Sequence, residues 1–187
     1  NCLLYYGSII RKKGVLELAE ISNRIFEQNP EAQLILAGND VRDVFTGRST
    51  QELFRELVKP EFHKRIEFKG LLAYELVQEE IAKAAVVVLP SFAEALPMTW
   101  IEAMAMEKAL VTSDIGWANE VMLDGETGYT VDPKNHGKYA DAVLKLLDNE
   151  ELRSKMGARA RKQVVEHFAT AVVVKQNLEF YKGVVKA

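Results

Sequence analysis

AAVVVLP (residues 84–90) followed by SFAEALPMTWIEAMAM (91–106) is the stretch that decides the fold. The first seven residues are a short, valine-rich apolar run closed by a proline, which reads as a strand buried on both faces. The segment MTWIEAMAM (98–106) then carries apolar residues at helical spacing. Two carboxylates, Glu94 in the turn and Glu102 in the helix, stand eight positions apart. Strand, turn and helix in this order place both acids at the carboxyl edge of a parallel sheet, where open α/β folds bind their ligands.

Outward from this unit, short apolar runs alternate with amphipathic segments, the βαβ pattern of a doubly wound, Rossmann-like parallel sheet wrapped by helices. Strands are expected at 3–6, 33–37, 66–68, 86–89, 110–112 and 129–131, and helices at 15–26, 52–58, 76–84 and 98–106. From about residue 137 to 187 the pattern is helical, with three closing helices at 140–147, 150–168 and 171–185. The segment GNDVRDVFTGR (38–48) follows a strand and has loop composition, so a mobile loop is expected there. No linker or repeat divides the chain, and one domain over 1–187 is expected. Because the first strand comes almost at once, the sequence reads as an excised domain.

The 187 residues are 48% hydrophobic and 27% charged, ordinary for a globular protein and unlike a disordered one. A formal charge of −3 gives no general reason to expect nucleic acid. The single cysteine, Cys2, cannot form an internal disulfide and fits a reducing compartment. No apolar run approaches the roughly 20 residues needed to span a bilayer, and the start NCLLYYGS has no signal-peptide pattern. The basic block KMGARARKQ (155–163) reads as a solvated helix face, or as a contact for an anionic membrane or a partner.

Two segments could carry chemistry. In GSIIRKKG (7–14), Arg11, Lys12 and Lys13 crowd a strand-to-helix turn, at a cost of a few tenths of a kcal/mol each against the helix dipole. A phosphate held by backbone N–H groups and a lysine would offset that cost; the alternative is a patch of solvated cations. The glycine spacing matches neither a Walker loop nor the G-x-G-x-x-G fingerprint. In the second segment, the carboxylates of Glu94 and Glu102 could each accept paired hydrogen bonds from sugar hydroxyls, Glu102 suiting a ribose and Glu94 a second sugar. The N–H groups of Ala95, Leu96 and Met98 lie between them, whereas Pro97 has none to offer. Read by themselves, two glutamates at a helix start are more often a helix-dipole partner and a surface acid; the acid/base pair of a glycoside hydrolase is a further and weaker reading, since nothing else in the sequence supplies a groove for a polymer. His63, His136 and His167 lack metal-ligand spacing and read as surface or capping residues. Ser91 and Ser113 lack the glycines of a nucleophile elbow. Trp117 reads as a packing or pocket-lining residue.

Taken together, these segments resemble the C-terminal, donor-binding domain of retaining GT-B glycosyltransferases, in the large glycosyltransferase family 4 group. The pieces occur in family order: YYGSIIRKKGV, AQLILAGND, RIEFKGLLAYEL, VVVLPSFAEALPMTWIEAMAM and VTSDIGWANEVMLDGETGYTVDP. The resemblance implies a nucleotide-sugar donor such as a UDP- or GDP-sugar, with no metal and no other cofactor. It implies that Lys13, with Gly7, Ser8 and Arg11, meets the diphosphate, that Glu94 contacts the transferred sugar as the catalytic residue, and that Glu102 binds the ribose. Leu71 and Leu72 would meet the base, and Ala95, Leu96, Pro97 and Met98 the sugar and phosphate. It further implies an N-terminal acceptor-binding domain absent from this chain, without which the domain binds donor but does not turn over. A cytoplasmic setting, with peripheral contact at the inner face of the membrane and a role in polysaccharide synthesis, belongs to the same expectation.

Three departures from the family pattern stand out. Ser8 occupies the position of a common second diphosphate arginine, leaving Arg11 or Lys12 to compensate; Ala95 replaces a glycine; and Glu107-Lys108-Ala109-Leu110 replaces G-K-P-V. A nucleotide-sugar epimerase of GT-B architecture and a non-catalytic sugar-nucleotide-binding module are the rival readings.

Overall fold

Six strands, β1 (Cys2–Tyr6), β2 (Gln33–Ala37), β3 (Ile66–Gly70), β4 (Val86–Leu89), β5 (Leu110–Thr112) and β6 (Tyr129–Thr130), form one sheet in a computed structural model that describes residues 1–116 and 118–185. The strand order is β3-β2-β1-β4-β5-β6 and each of its pairings is parallel. This is the Rossmann-like doubly wound order. The chain builds outward from β1 to β3, then returns across the sheet to β4 and builds the other way. β1 and β4 are therefore hydrogen-bonded neighbours whose connections leave in opposite directions, which opens a crevice above their carboxyl ends.

Among the described residues eight α-helices connect and close the sheet: α1 (Val15–Gln28), α2 (Thr50–Leu57), α3 (Tyr74–Lys83), α4 (Met98–Ala105), α5 (Ala118–Val121), α6 (His136–Leu147), α7 (Glu150–His167) and α8 (Thr170–Val185). Right-handed crossovers put α1 and α2 on one face and α3 and α4 on the other. α6 returns to pack against α1, and α7 packs against α4. The core is one continuous apolar cluster in which Val86, Val87 and Val88 of β4 are wholly buried, as their sequence implied.

The expected elements are all present, with edges moved by local chemistry. β3 runs two residues past Phe68, because Ala37 pairs with Gly70 across a register shift. α2 begins at Thr50 rather than Glu52. Ser49 caps it, accepting a hydrogen bond from the Glu52 N–H at 3.0 Å. Asn135 likewise starts α6 at His136, four residues ahead of expectation, and Asn149 caps α7. Arg11, Lys12 and Lys13 form a separate 3-10 turn, and α1 begins only after Gly14.

The 38–48 loop is tied down more firmly than its composition suggested. Its backbone bridges Ile9 at Asp40 and closes on itself from Arg42 to Ser49. Buried Asp43 anchors it to Arg11 through two hydrogen bonds, of 2.6 and 3.0 Å. The histidine reading holds for His63, whose Nε2 lies 3.0 Å from the carbonyls of both Arg55 and Val58. In the basic block, Met156, Gly157 and Ala160 face the core while Arg161 reaches the Ala105 carbonyl and Glu107. Among the described residues no helix is long and apolar enough to cross a membrane. The expectation for Trp117 lies outside the described residues.

One close approach fixes how the halves of the sheet meet. Gly14 has φ +70°, and a Cβ built there would lie 1.7 Å from the Pro90 carbonyl oxygen. The turn after β1 is thus pressed against the end of β4. The Phe92 N–H donates to the Lys12 carbonyl at 2.8 Å across the same seam. Gly14→Ala is expected to destabilise the protein by about 2–5 kcal/mol, from left-handed strain plus forced displacement of backbone. Urea unfolding midpoints measure this, and a loss below about 1 kcal/mol, the cost of an ordinary helix-boundary glycine change, would contradict it.

Candidate functional site

Two grooves open side by side at the crevice between β1 and β4, and they share Tyr6, Gly7 and Thr99. The narrow one, of about 20 Å³, is lined by Lys13, Ser91 and Glu94. The wide one, of about 250 Å³, is lined by Ser8, Gly38, Asn39, Leu71, Leu72, Tyr74 and Glu102. Each glutamate of the spaced pair therefore has a groove of its own. That separation follows from the backbone: Glu94 sits in the loop before α4, and Glu102 lies on the second turn of the helix.

Two neighbouring tyrosines at the end of β1 hold the site's edges. Tyr5 donates its hydroxyl to the Ser8 carbonyl at 2.7 Å, and Tyr6 donates to the Thr99 carbonyl in the first turn of α4. Burial pushes both phenols well above their usual range, with the charge of Glu94 adding to the effect on Tyr5 and that of Glu102 on Tyr6. Both hydroxyls thus remain donors across the ordinary pH range. Burial also raises the Glu102 carboxyl above the usual glutamate value.

In the narrow groove Lys13 Nζ lies 2.5 Å from Glu94 Oε1, with 28% and 15% of the two side chains exposed. Removing one member would leave the other charge in a poorly solvated position, so the two act as a unit. Their contact spans 81 residues of sequence and depends on the seam at Gly14 and Pro90.

Not every expected residue joins this arrangement. Arg11 is drawn away: its guanidinium grips Asp43 and it lines a separate groove with Lys12 on the far side of the turn. Geometry therefore removes Arg11 from the set facing the crevice and leaves Lys13 as the cation of the turn that does so. Met98 also departs from expectation, since its N–H donates to the Leu96 carbonyl at 2.9 Å. The N–H groups of Ala95 and Leu96 have no acceptor among the described residues, whereas Pro97 is buried and starts α4 through its carbonyl. Of the two leucines after Gly70, Leu71 is 80% exposed and Leu72 packs partly on the core, yet both border the wide groove.

Sequence reasoning missed Tyr6, Thr99, Asn39 and Tyr74 as lining residues. Position could have found three of them: Tyr6 and Asn39 fall at the carboxyl ends of β1 and β2, and Thr99 lies inside the Glu94–Glu102 segment. Tyr74 carries no such signal. Among the described residues no group of three or more His, Cys, Asp or Glu side chains could hold a metal ion.

Residues 1–163 match the family described as Glycosyl transferases group 1. The chain belongs to that family. It is 31% identical over 158 residues to the alpha-D-kanosaminyltransferase of Streptomyces kanamyceticus, an overlap of 84% of this chain and 39% of that relative. The crystal structure of a glycosyltransferase from Rickettsia africae superposes with a TM-score of 0.83 at 25% identity, covering 99% of this chain and 48% of that one. The Anabaena protein HepE, solved in complex with UDP-glucose, has the same fold at a TM-score of 0.78, 20% identity, 97% of this chain and 48% of its own. The chain thus spans less than half of each of these three proteins.

The Arg11–Asp43 anchor yields a pH prediction. The hydrogen bond from Arg11, helped by those from Thr46, holds the Asp43 carboxyl far below the usual carboxylate range. With the folded value depressed, the stabilisation is complete above the unfolded value of about 4 and is lost as pH falls towards the folded one. Asp43→Asn is therefore expected to be less stable than the wild type by a constant margin from pH 8 to about 5, a margin that shrinks below pH ~4. Urea titrations across that range measure it, and a margin unchanged in acid would contradict the assignment.

Proposed function

We propose that this chain is the donor-binding domain of a retaining glycosyltransferase, holding a nucleotide-diphosphate sugar across the two grooves for transfer to a glycan, lipid or other acceptor. The observation that carries the reading is the division of the crevice: one carboxylate beside the sole inward-facing cation of the turn, the other in a wider groove flanked by Leu71, Leu72 and Tyr74. The wide groove suits a nucleoside, with Glu102 accepting from the ribose hydroxyls and the apolar residues flanking the base. Gly7 and Ser8, shared with or beside the narrow groove, lie where the diphosphate would pass towards Lys13. Ala95 and Leu96 offer their unpaired N–H groups to sugar or phosphate oxygens.

In this reading the transferred sugar lies at Glu94. Cleavage of its C1–O bond leaves negative charge on the departing diphosphate, which Lys13 is placed to stabilise without a metal ion. Since Lys13 is paired with Glu94, a diphosphate would compete for the lysine and release the carboxylate towards the sugar hydroxyls. An epimerase is less well supported, because no histidine borders either groove among the described residues. The binding of UDP-glucose by HepE favours a nucleotide-sugar ligand of the same class.

The acceptor-binding part belongs to a second, N-terminal domain of a longer protein, outside these 187 residues. α8 favours this. Leu178, Phe180, Tyr181, Val184 and Val185 are exposed along it, a face that a further domain would cover. Alone, the 187 residues should bind donor without turnover, since holding donor and acceptor in attack geometry supplies roughly 7–11 kcal/mol of the barrier. A cytoplasmic setting with peripheral contact at the inner membrane face completes the proposal.

A thermal-shift panel of UDP, GDP, ADP and their sugar conjugates would identify the base through ligand stabilisation of the folded state. With the best nucleotide, Lys13→Ala is expected to weaken diphosphate binding by about 1.5–3 kcal/mol, the value of a charge-assisted hydrogen bond, and to leave nucleoside binding almost unchanged. Equal diphosphate affinity before and after would refute the assignment of Lys13. Glu102→Gln should weaken the bare nucleotide while Glu94→Gln spares it. Because burial raises the Glu102 carboxyl, wild-type affinity should decline as pH falls through a range above that of an ordinary glutamate. The Glu102→Gln substitution, which leaves no titrating carboxyl there, would remove that slope. Calorimetric titration at several pH values reads both effects, and an identical slope in the variant would exclude Glu102 as its source.

A further inference from the structure

One buried hydroxyl ties the two halves of the donor crevice together. We propose that Tyr6 is the positioning residue that holds the Glu102 carboxylate in register with the diphosphate turn at Gly7 and Ser8, so that a nucleoside diphosphate is gripped at both ends at once. The inference rests on the donor reading of the crevice.

Tyr6 is the last residue of β1, and Gly7 and Ser8 follow it directly. This end of the strand is fixed from the β2 side, where the Gly7 N–H donates to the Ala37 carbonyl at 2.9 Å and Gly38 packs against the Gly7 carbonyl. The ribose end of the crevice belongs to another element, because Glu102 is carried by α4. Among the described residues a single hydrogen bond joins residues 2–14 to α4, and it runs from the Tyr6 hydroxyl to the Thr99 carbonyl.

That bond lands in the turn that presents Glu102. In an α-helix the Thr99 carbonyl faces the Ala103 N–H one turn on, and Glu102 lies within that span. The Ala103 N–H and the Glu102 charge both act on the Tyr6 hydroxyl, so the phenol sits against this turn. Burial keeps it protonated, and the bond therefore persists across the working pH range. The core supplies no equivalent tie: Trp100, in the same turn, buries an indole N–H that has no partner among the described residues.

A buried tyrosine needs an acceptor for its hydroxyl, and any core carbonyl would satisfy that need. Tyr6 does more, since with Gly7 and Thr99 it forms the border that the two grooves share. A ligand with its ribose at Glu102 and its diphosphate directed to Lys13 crosses this border. Two subsites joined through one ligand reinforce each other only when their spacing matches it. Keeping that spacing requires rigid support behind the recognition groups, and Tyr6 provides it between the strand end and the helix.

Tyr6→Phe keeps the ring and removes the hydroxyl. Calorimetric and NMR titrations of wild type and variant with UDP, uridine, GDP, guanosine and inorganic pyrophosphate read the effect. The nucleoside diphosphate that binds the wild type should bind Tyr6→Phe about tenfold or more weakly, while its nucleoside and pyrophosphate each change by no more than about twofold. In a Glu102→Gln background the same substitution should cost the diphosphate no more than about twofold, because a residue that acts through Glu102 is not additive with its loss. A merely structural tyrosine would lower the thermal midpoint and weaken all of these ligands alike. The wild type gives a reading that needs no variant: exchange of the Tyr6 hydroxyl proton, followed by NMR, should slow more with the nucleoside diphosphate than with the nucleoside or pyrophosphate. Unchanged diphosphate affinity, equal weakening of every ligand, an additive cost in Glu102→Gln, or equal slowing of exchange would each overturn the proposal. If neither UDP nor GDP binds the wild type, the donor reading fails and this role falls with it; if one binds and Tyr6→Phe binds it as tightly, only the role of Tyr6 falls.

Discussion

The contact between Gly14 and the Pro90 carbonyl is the constraint on which the site depends. β1 and β4 lie side by side in the sheet, but their following segments diverge, and nothing in sheet pairing alone brings the turn at 11–13 against the loop at 91–94. Absence of a side chain at residue 14 lets the two backbones touch, and the Phe92 to Lys12 hydrogen bond then sets their relative height. Gly38 makes a second approach of the same kind, against the Gly7 carbonyl, and draws the ends of β1 and β2 together beneath the wide groove. Both grooves are thus consequences of backbone contact before any side chain is considered.

Much of this was legible in the sequence because it rests on local patterns. Valine-rich runs and helical periodicity located the sheet and its helices, since burial on both faces and on one face leave different spacings. Two of the element edges that moved, the starts of α2 and α6, were decided by single polar residues: Ser49 and Asn135 each begin a helix with a side-chain oxygen. The two glutamates were visible as a spaced pair, but not that each would occupy its own groove. Nor could spacing foretell that Arg11 would turn away, because its partner Asp43 lies 32 residues on, in a segment whose composition reads only as loop.

Charge in the crevice is arranged by proximity to protonated tyrosines as much as by ion pairing. Each glutamate lies near a buried phenol, Glu94 near Tyr5 and Glu102 near Tyr6, and neither phenol ionises in the working pH range. The two acids nonetheless differ. Glu94 is coupled to a lysine, and Glu102, with no cation bonded to it among the described residues, carries the cost of its own desolvation. Two chemically identical side chains eight residues apart are thereby given distinct electrostatic surroundings.

The 3-10 turn has a consequence for how such a domain can change. Three residues per turn send successive side chains in directions about 120° apart, so Arg11, Lys12 and Lys13 cannot all face one groove. The turn works as a distributor, sending Lys13 to one cavity and Arg11 and Lys12 to the other. Loss or gain of a single residue there would rotate the whole set and exchange the charges of both cavities at once. Substitutions can retune either side separately, whereas insertions and deletions alter the two together, and Gly14 marks the point past which the register cannot slip.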